Sequence, residues 1–216
     1  MLLSMVSGFD RDDLANMAVV NPMTLTPDWV SYCLELPVVH EPGTFWAYNG
    51  TSLHPLSFLI AEKSGKSIPE FAQTYLYNPL GIYSPDWGRG PHSITRVDTF
   101  HSLSARDMAK LGQLYLNKGQ WNGKQVLSAQ WVEQATAFHA KTTFNFWHQA
   151  FDYGYLWYST PVSYHGKNIT AYFADGWGGQ YIWYVPDLDL VTVMTAGNGD
   201  SVKEFDFFEK YIVNAF

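Results

Sequence analysis

Apolar residues recur along this 216-residue chain at two different periods, and the change of period divides it near residue 152. Over residues 1–152 the spacing is mostly helical. Thr26-Pro27-Asp28-Trp29 has the form of an N-cap followed by proline at the first helical position, and predicts a helix to about Leu36, stopped by Pro37. Leu53, Leu56, Leu59, Ile60 and Lys63 share helical spacing, and Gly65 follows as a stop. Ser67-Ile68-Pro69-Glu70 has the form of a capping box and opens a helix to about Tyr77. Ser104 to Asp107 repeats that signature ahead of Met108, Leu111, Leu114 and Tyr115, and Gly119 ends the run. Asn122-Gly123 predicts a tight turn, and Ser128 caps a helix over roughly 129–137. Residues 83–100 read as loop, and residues 139–152 carry no clear period.

From Tyr153 onward the runs are aromatic and β-prone. Tyr153–Val162, Lys167–Ala174, Gln180–Val185 and Leu190–Thr195 predict four antiparallel strands, with turns at His165-Gly166 and Pro186-Asp187-Leu188-Asp189. Phe205, Phe208, Tyr211 and Ile212 then fall on one face of a terminal helix that should pack on that sheet. The pattern therefore predicts an α+β fold: a mostly helical lobe over 1–152, then strands and a final helix over 153–216, all of one domain. The first strand's edge would need further strands to cover it.

Composition narrows the classes. Hydrophobic residues are 47% and charged residues 15%, which is a globular balance. A net charge of −7 argues against a nucleic-acid partner, and no apolar run approaches the roughly 20 residues of a membrane span. The single cysteine, Cys33, allows no internal disulfide, and its apolar neighbours suggest a buried thiol. The seven histidines, His92 and His148 among them, have no paired-ligand spacing, so neither a metal nor another cofactor is called for.

Two segments could carry chemistry. Tyr48-Asn49-Gly50 follows the turn Pro42-Gly43, and a tyrosine can act as a base where neighbouring positive charge lowers its phenol pKa from about 10. Gly176-Trp177-Gly178-Gly179-Gln180 precedes a strand. Glycines there let a substrate approach the backbone, and free N–H groups at a strand edge can hold a developing oxyanion. Each segment also has a plain structural reading, as a core tyrosine and as a turn.

Taken in order with four further segments, they resemble the serine β-lactamase and penicillin-binding-protein superfamily. Leu2 to Phe9 resembles its "LLTHTSG" segment and Pro42 to Asn49 its "PGxxFxYxN" segment. Ala61 to Ser67 with Asn78 to Ile82 resembles "EKxTGKS…PLGM", and Ser104 to Leu114 resembles "TARDLAKFGQL". Asn117 to Leu127 resembles "NxGxWNGKxxL", and Gly176 to Gln180 with Val185 to Val191 resembles "GWGGQxxxVxPDLDLV". The class C, esterase and 6-aminohexanoate-oligomer hydrolase branch is the most similar part of the superfamily.

The resemblance implies a β-lactamase/transpeptidase-like fold and acyl transfer through a serine ester of a small ester or amide substrate. It implies Tyr48 as the catalytic tyrosine, with Asn49, Trp177, Gly178, Gly179 and Gln180 binding substrate or its oxyanion. Two departures stand out. Asn49 directly follows Tyr48, where the family has Tyr-x-Asn. Trp177 stands where β-lactamases carry lysine, which disfavours a β-lactam carboxylate and favours simpler esters or amides. No serine has lysine three residues on, and the chain begins inside the "LLTHTSG" segment. The nucleophile helix and the N-terminal strands are therefore expected to be missing from this sequence. The alternative expectation is a non-catalytic binding module. Loss of those elements also predicts self-association through the surface they would have covered.

Overall fold

The computed structural model describes residues 1–13, 21–90, 94–98, 101–143, 150–197 and 201–216. They form two compact units, Met1–Leu103 and Ser104–Phe216.

The first unit is built from short helices. A 3-10 turn (Pro22–Leu25) leads to α1 (Trp29–Leu34). The cap of α1 is Asp28, not Thr26: the Asp28 carboxylate accepts from the Ser31 N–H, while the Thr26 hydroxyl donates back to Met23 O. A carboxylate at the positive end of a helix outcompetes a hydroxyl two residues earlier. A second 3-10 turn (Gly50–Leu53) runs into α2 (His54–Ser64), which Gly65 ends in the left-handed conformation at φ +66°. Ser67 and Glu70 make the expected capping box, with Ser67 accepting from the Glu70 N–H and Glu70 from the Ser67 N–H. They start α3 (Ile68–Ala72), which widens over Gln73–Tyr77 and finishes as α4 (Asn78–Leu80). A two-stranded ribbon, β1 (Asp86–Trp87) with β2 (His101–Ser102), completes the unit. Met5, Met23, Trp29, Cys33, Leu80 and Ile82 are its buried centre. Burial pushes the Cys33 thiol up to about 11, which keeps it protonated and inert.

The second unit has three layers, with a sheet between two sets of helices. Ser104 caps α5 (Ala105–Leu116), and Ser128 caps α6 (Ala129–Thr136). Between them β3 (Gln120–Trp121) and β4 (Lys124–Gln125) are joined by Asn122-Gly123, both at positive φ, the two-residue turn that matches strand twist. The main sheet has six strands rather than four: β5 (Ala140–Lys141), β6 (Asp152–Tyr153), β7 (Tyr158–Tyr164), β8 (Lys167–Gly176), β9 (Gln180–Val185) and β10 (Leu190–Met194). It is an antiparallel meander in chain order. The first two strands lie in or beside the stretch that showed no period, because two residues are too few to display alternation. β7 and β8 turn at His165-Gly166, again both at positive φ.

The terminal helix begins as α7 (Ser201–Phe207), widens over Phe208–Ile212 and closes with a 3-10 turn (Val213–Ala215). It covers one sheet face. Trp183 stacks between Phe173 (centroids 4.3 Å apart) and Phe208 (4.1 Å), with Phe205 edge-on at 5.5 Å. The buried stripe runs Phe205, Phe208, Val213, and Tyr211 is exposed. The widened turn adds one residue, so the step after Phe208 is five rather than three or four, which moves Tyr211 outward. On the opposite face Gly112 of α5 lies against Ile182 and Val191, and Ala135, Trp157 and Tyr184 form a second core. The outer side of β7 is closed by the terminal helix. Glu209 accepts from the Ser163 N–H (2.9 Å), and Asn214 donates to Ser163 O (3.1 Å) and accepts from the His165 N–H (3.3 Å).

Candidate functional site

The predicted site residues lie in two places, each inside one unit. In the first unit Tyr48 is half-buried, its ring tilted toward Trp46 at 6.4 Å. Its carbonyl accepts from the Asp13 N–H (2.7 Å). Asp13 returns the contact, its carboxylate accepting from the Gly50 N–H (2.8 Å) and the Thr51 N–H (3.4 Å). Asn49 is buried, and its Oδ1 caps the 3-10 turn by accepting from the Ser52 N–H (3.1 Å). That oxygen is committed to the backbone. The Nδ2 group is buried and has no hydrogen-bond partner among the described residues, and is the part of Asn49 left for other work.

Gly50 packs closely on Asp98: a Cβ there would stand 3.0 Å from Asp98 Cβ, so a larger residue would need that neighbour to give way. Asp98 lies under the segment, with Arg96 donating to it through Nη2 (2.8 Å) and Nε (3.2 Å) and with His54 Nε2 at 3.5 Å. Burial alone would raise the Asp98 carboxyl. The hydrogen bonds from His54 and Arg96 and their charge outweigh it and hold the carboxyl well below the usual range. Beside Tyr48 in the chain, a groove of about 360 Å³ is lined by Phe9, Asp10, Arg11, Asp12, His40 and Phe45, the last two with stacked rings (4.1 Å).

In the second unit the Gly176–Gln180 segment is the turn between β8 and β9, with Gly176 paired to Gln180. Gly178 and Gly179 hold φ of +79° and +87°, values that strain any other residue. Trp177 is 80% exposed, a large apolar surface standing at the turn. Gln180 is a brace: its Nε2 donates to Gly178 O and Ala196 O, and the Ala196 N–H donates to Gly179 O (3.1 Å). The turn is thus tied to the segment after β10. Such an arrangement fixes backbone N–H groups in place before a ligand arrives, which is what oxyanion stabilisation needs.

Two carboxyls behind this turn escaped the sequence reading. Asp175, at the end of β8, follows Ala171 and Phe173 on the helix-facing side, and Glu204 precedes Phe205 on α7. A charge in phase with an inward-facing alternation was the available signal. Among the described residues no group of three or more His, Cys, Asp and Glu comes together as metal ligands, and His92 and His148 lie outside them. Nor is any described helix long and apolar enough to cross a membrane.

The model of the Beta-lactamase family matches residues 1–208, so the chain belongs to that family. A putative 6-aminohexanoate-dimer hydrolase from Bacillus anthracis superposes with a TM-score of 0.67 at 20% identity, over 94% of this chain and 56% of that one. The octameric penicillin-binding protein homologue of Pyrococcus abyssi superposes with a TM-score of 0.69 at 18% identity, over 96% of this chain and 54% of that one. In sequence, an uncharacterized protein of Alkalihalophilus pseudofirmus is 24% identical over 191 residues, 76% of this chain and 56% of its own length. The chain therefore spans a little over half the length of these relatives. The fold is β-lactamase/transpeptidase-like, and the family is one of hydrolases.

Proposed function

We propose that this chain is part of a serine hydrolase that cleaves small ester or amide substrates through an acyl-enzyme. Tyr48 exchanges the proton of the nucleophile and leaving group. The turn at Trp177, Gly178, Gly179 and Gln180 binds the substrate and offers backbone N–H groups to the oxyanion. The observation that carries this reading is the turn itself: two glycines at positive φ, braced from behind by Gln180 and faced by an exposed indole. Asn49 contributes through Nδ2 alone.

The nucleophile is the missing part of the reading, since no Ser-x-x-Lys occurs in the 216 residues. The test is intact mass after exposure to a chromogenic acyl ester. The chain by itself should stay at 24.6 kDa with no adduct. A longer form extended at its N-terminus should gain one acyl group on a serine. An extended form that never acylates would sink the hydrolase reading. It would leave the non-catalytic binding module, which the commitment of Asn49 Oδ1 to a helix cap already favours.

We also propose that the chain alone self-associates. Phe207 and Tyr211 are exposed on the terminal helix, and among the described residues no strand lies beyond β10. Sedimentation over a tenfold concentration range should show mass rising above the monomer. A constant monomer mass would refute this.

A further inference from the structure

Met5 holds a backbone conformation that side chains seldom adopt, with φ of +58°. Such strain persists only where the surroundings over-determine it, and it clusters at functional sites. A turn delivers Met5 there: its N–H donates to Leu2 O (3.2 Å), and the Val6 N–H donates to Met1 O (3.1 Å). The Met5 side chain is buried. Both of its acceptors go to the chain neighbours of Tyr48. Met5 O accepts from the Ala47 N–H (3.0 Å), and Met5 Sδ accepts from the Asn49 N–H (3.3 Å). The carbonyl between them, Tyr48 O, accepts from the Asp13 N–H (2.7 Å). In an extended backbone, N–H groups two residues apart share one edge, and the carbonyl of the residue between them points to the other. The segment is thus held along one edge by Met5 and along the other by Asp13.

We propose that Met5 is a positioning residue for Tyr48: its carbonyl and its thioether sulfur hold the N–H groups on either side of that residue. What this hold does for turnover rests on the reading of Tyr48 as the proton-transfer group, but the hold itself does not.

The sulfur is the part of the hold that depends on this side chain, since any residue keeping the turn would offer the carbonyl. A thioether is a weak acceptor. It suffices here because Asn49 is buried, and a buried N–H needs whatever partner lies within reach. Leucine is close to methionine in volume and equally apolar, so it would keep the core filled. It has no lone pair, so it would leave the Asn49 N–H buried and unpaired. The segment would then shift to find that N–H another partner, and a displacement of about 1 Å is enough to cost a reaction heavily.

The first measurement uses the chain as it stands and reads the backbone amide resonances of Ala47 and Asn49. Met5→Leu should move the Asn49 amide upfield, because it loses its acceptor, and leave the Ala47 amide in place. An Asn49 amide that stays put, or a shift shared equally by both amides, would overturn the hold. The second measurement uses an N-terminally extended form that acylates. Met5→Leu should lower kcat and kcat/KM together by about tenfold or more, the mark of a misplaced reacting group. The loss should vanish in a Tyr48→Phe background, because a residue that acts through the Tyr48 hydroxyl then has nothing left to position. An unchanged kcat, or equal losses with and without that hydroxyl, would overturn the positioning role. An extended form that never acylates would take down the hydrolase reading and the role in turnover with it, while the amide resonances would still decide the hold.

Discussion

Phe208→Ala is expected to cost about 3–5 kcal/mol of stability, the range for emptying a fully buried aromatic site. Phe208 has no accessible surface, and its ring lies flat on Trp183. Trp183 in turn lies on Phe173, while Phe205 meets both edge-on. The stack joins helix to sheet in a single column. Alanine would leave a cavity that these rigid rings fill poorly, and the aromatic contact would go with the buried area. A domain of this size has about 5–15 kcal/mol in total, so the variant should unfold at a far lower urea concentration. Phe207→Ala is the internal control. That ring is 49% exposed, and its loss should stay within about 0.5 kcal/mol. Equal shifts for the two variants would mean that the helix does not depend on the column.

Tyr48→Phe, in an N-terminally extended form that acylates, should lower kcat by about a hundredfold or more, the usual share of a positioned proton-transfer group. The change removes one oxygen. The contacts that hold the segment, Asp13 N–H to Tyr48 O and the Gly50 and Thr51 N–H groups to the Asp13 carboxylate, do not use the Tyr48 hydroxyl and survive it. Thermal stability should therefore change little while turnover collapses. An unchanged kcat would remove Tyr48 from the proposed mechanism.

Much of the fold was legible in the sequence because its punctuation is local. Ser67 with Glu70, Ser104, Ser128, Gly65, Asn122-Gly123 and His165-Gly166 act within a few residues of themselves, and each does what its type dictates. Where two local signals competed, at Thr26 and Asp28, charge decided. The exposure of Tyr211 was not legible, since the widened turn that causes it has no motif. The turn at Gly176–Gln180 was visible through its glycines, but the carboxyls behind it come from segments about thirty residues apart. The same holds for Asp13, Arg96 and Asp98 around Tyr48: their partnership exists only once the chain has folded.

The clamp on β7 has a consequence for how these molecules meet one another in concentrated solution. An incoming strand needs a row of free N–H and C=O groups to copy. On the outer side of β7 the Ser163 groups are already taken by Glu209 and Asn214, and Pro161, two residues earlier and so in phase, has no N–H to offer. That border gives a growing fibril nothing to template on, although the β7–β8 hairpin is long and carries Thr160, Val162, Ile169 and Thr170. Asn214→Ala would free only the Ser163 C=O and the His165 N–H, and with Glu209 and Pro161 still in place the border would stay closed to a copying strand.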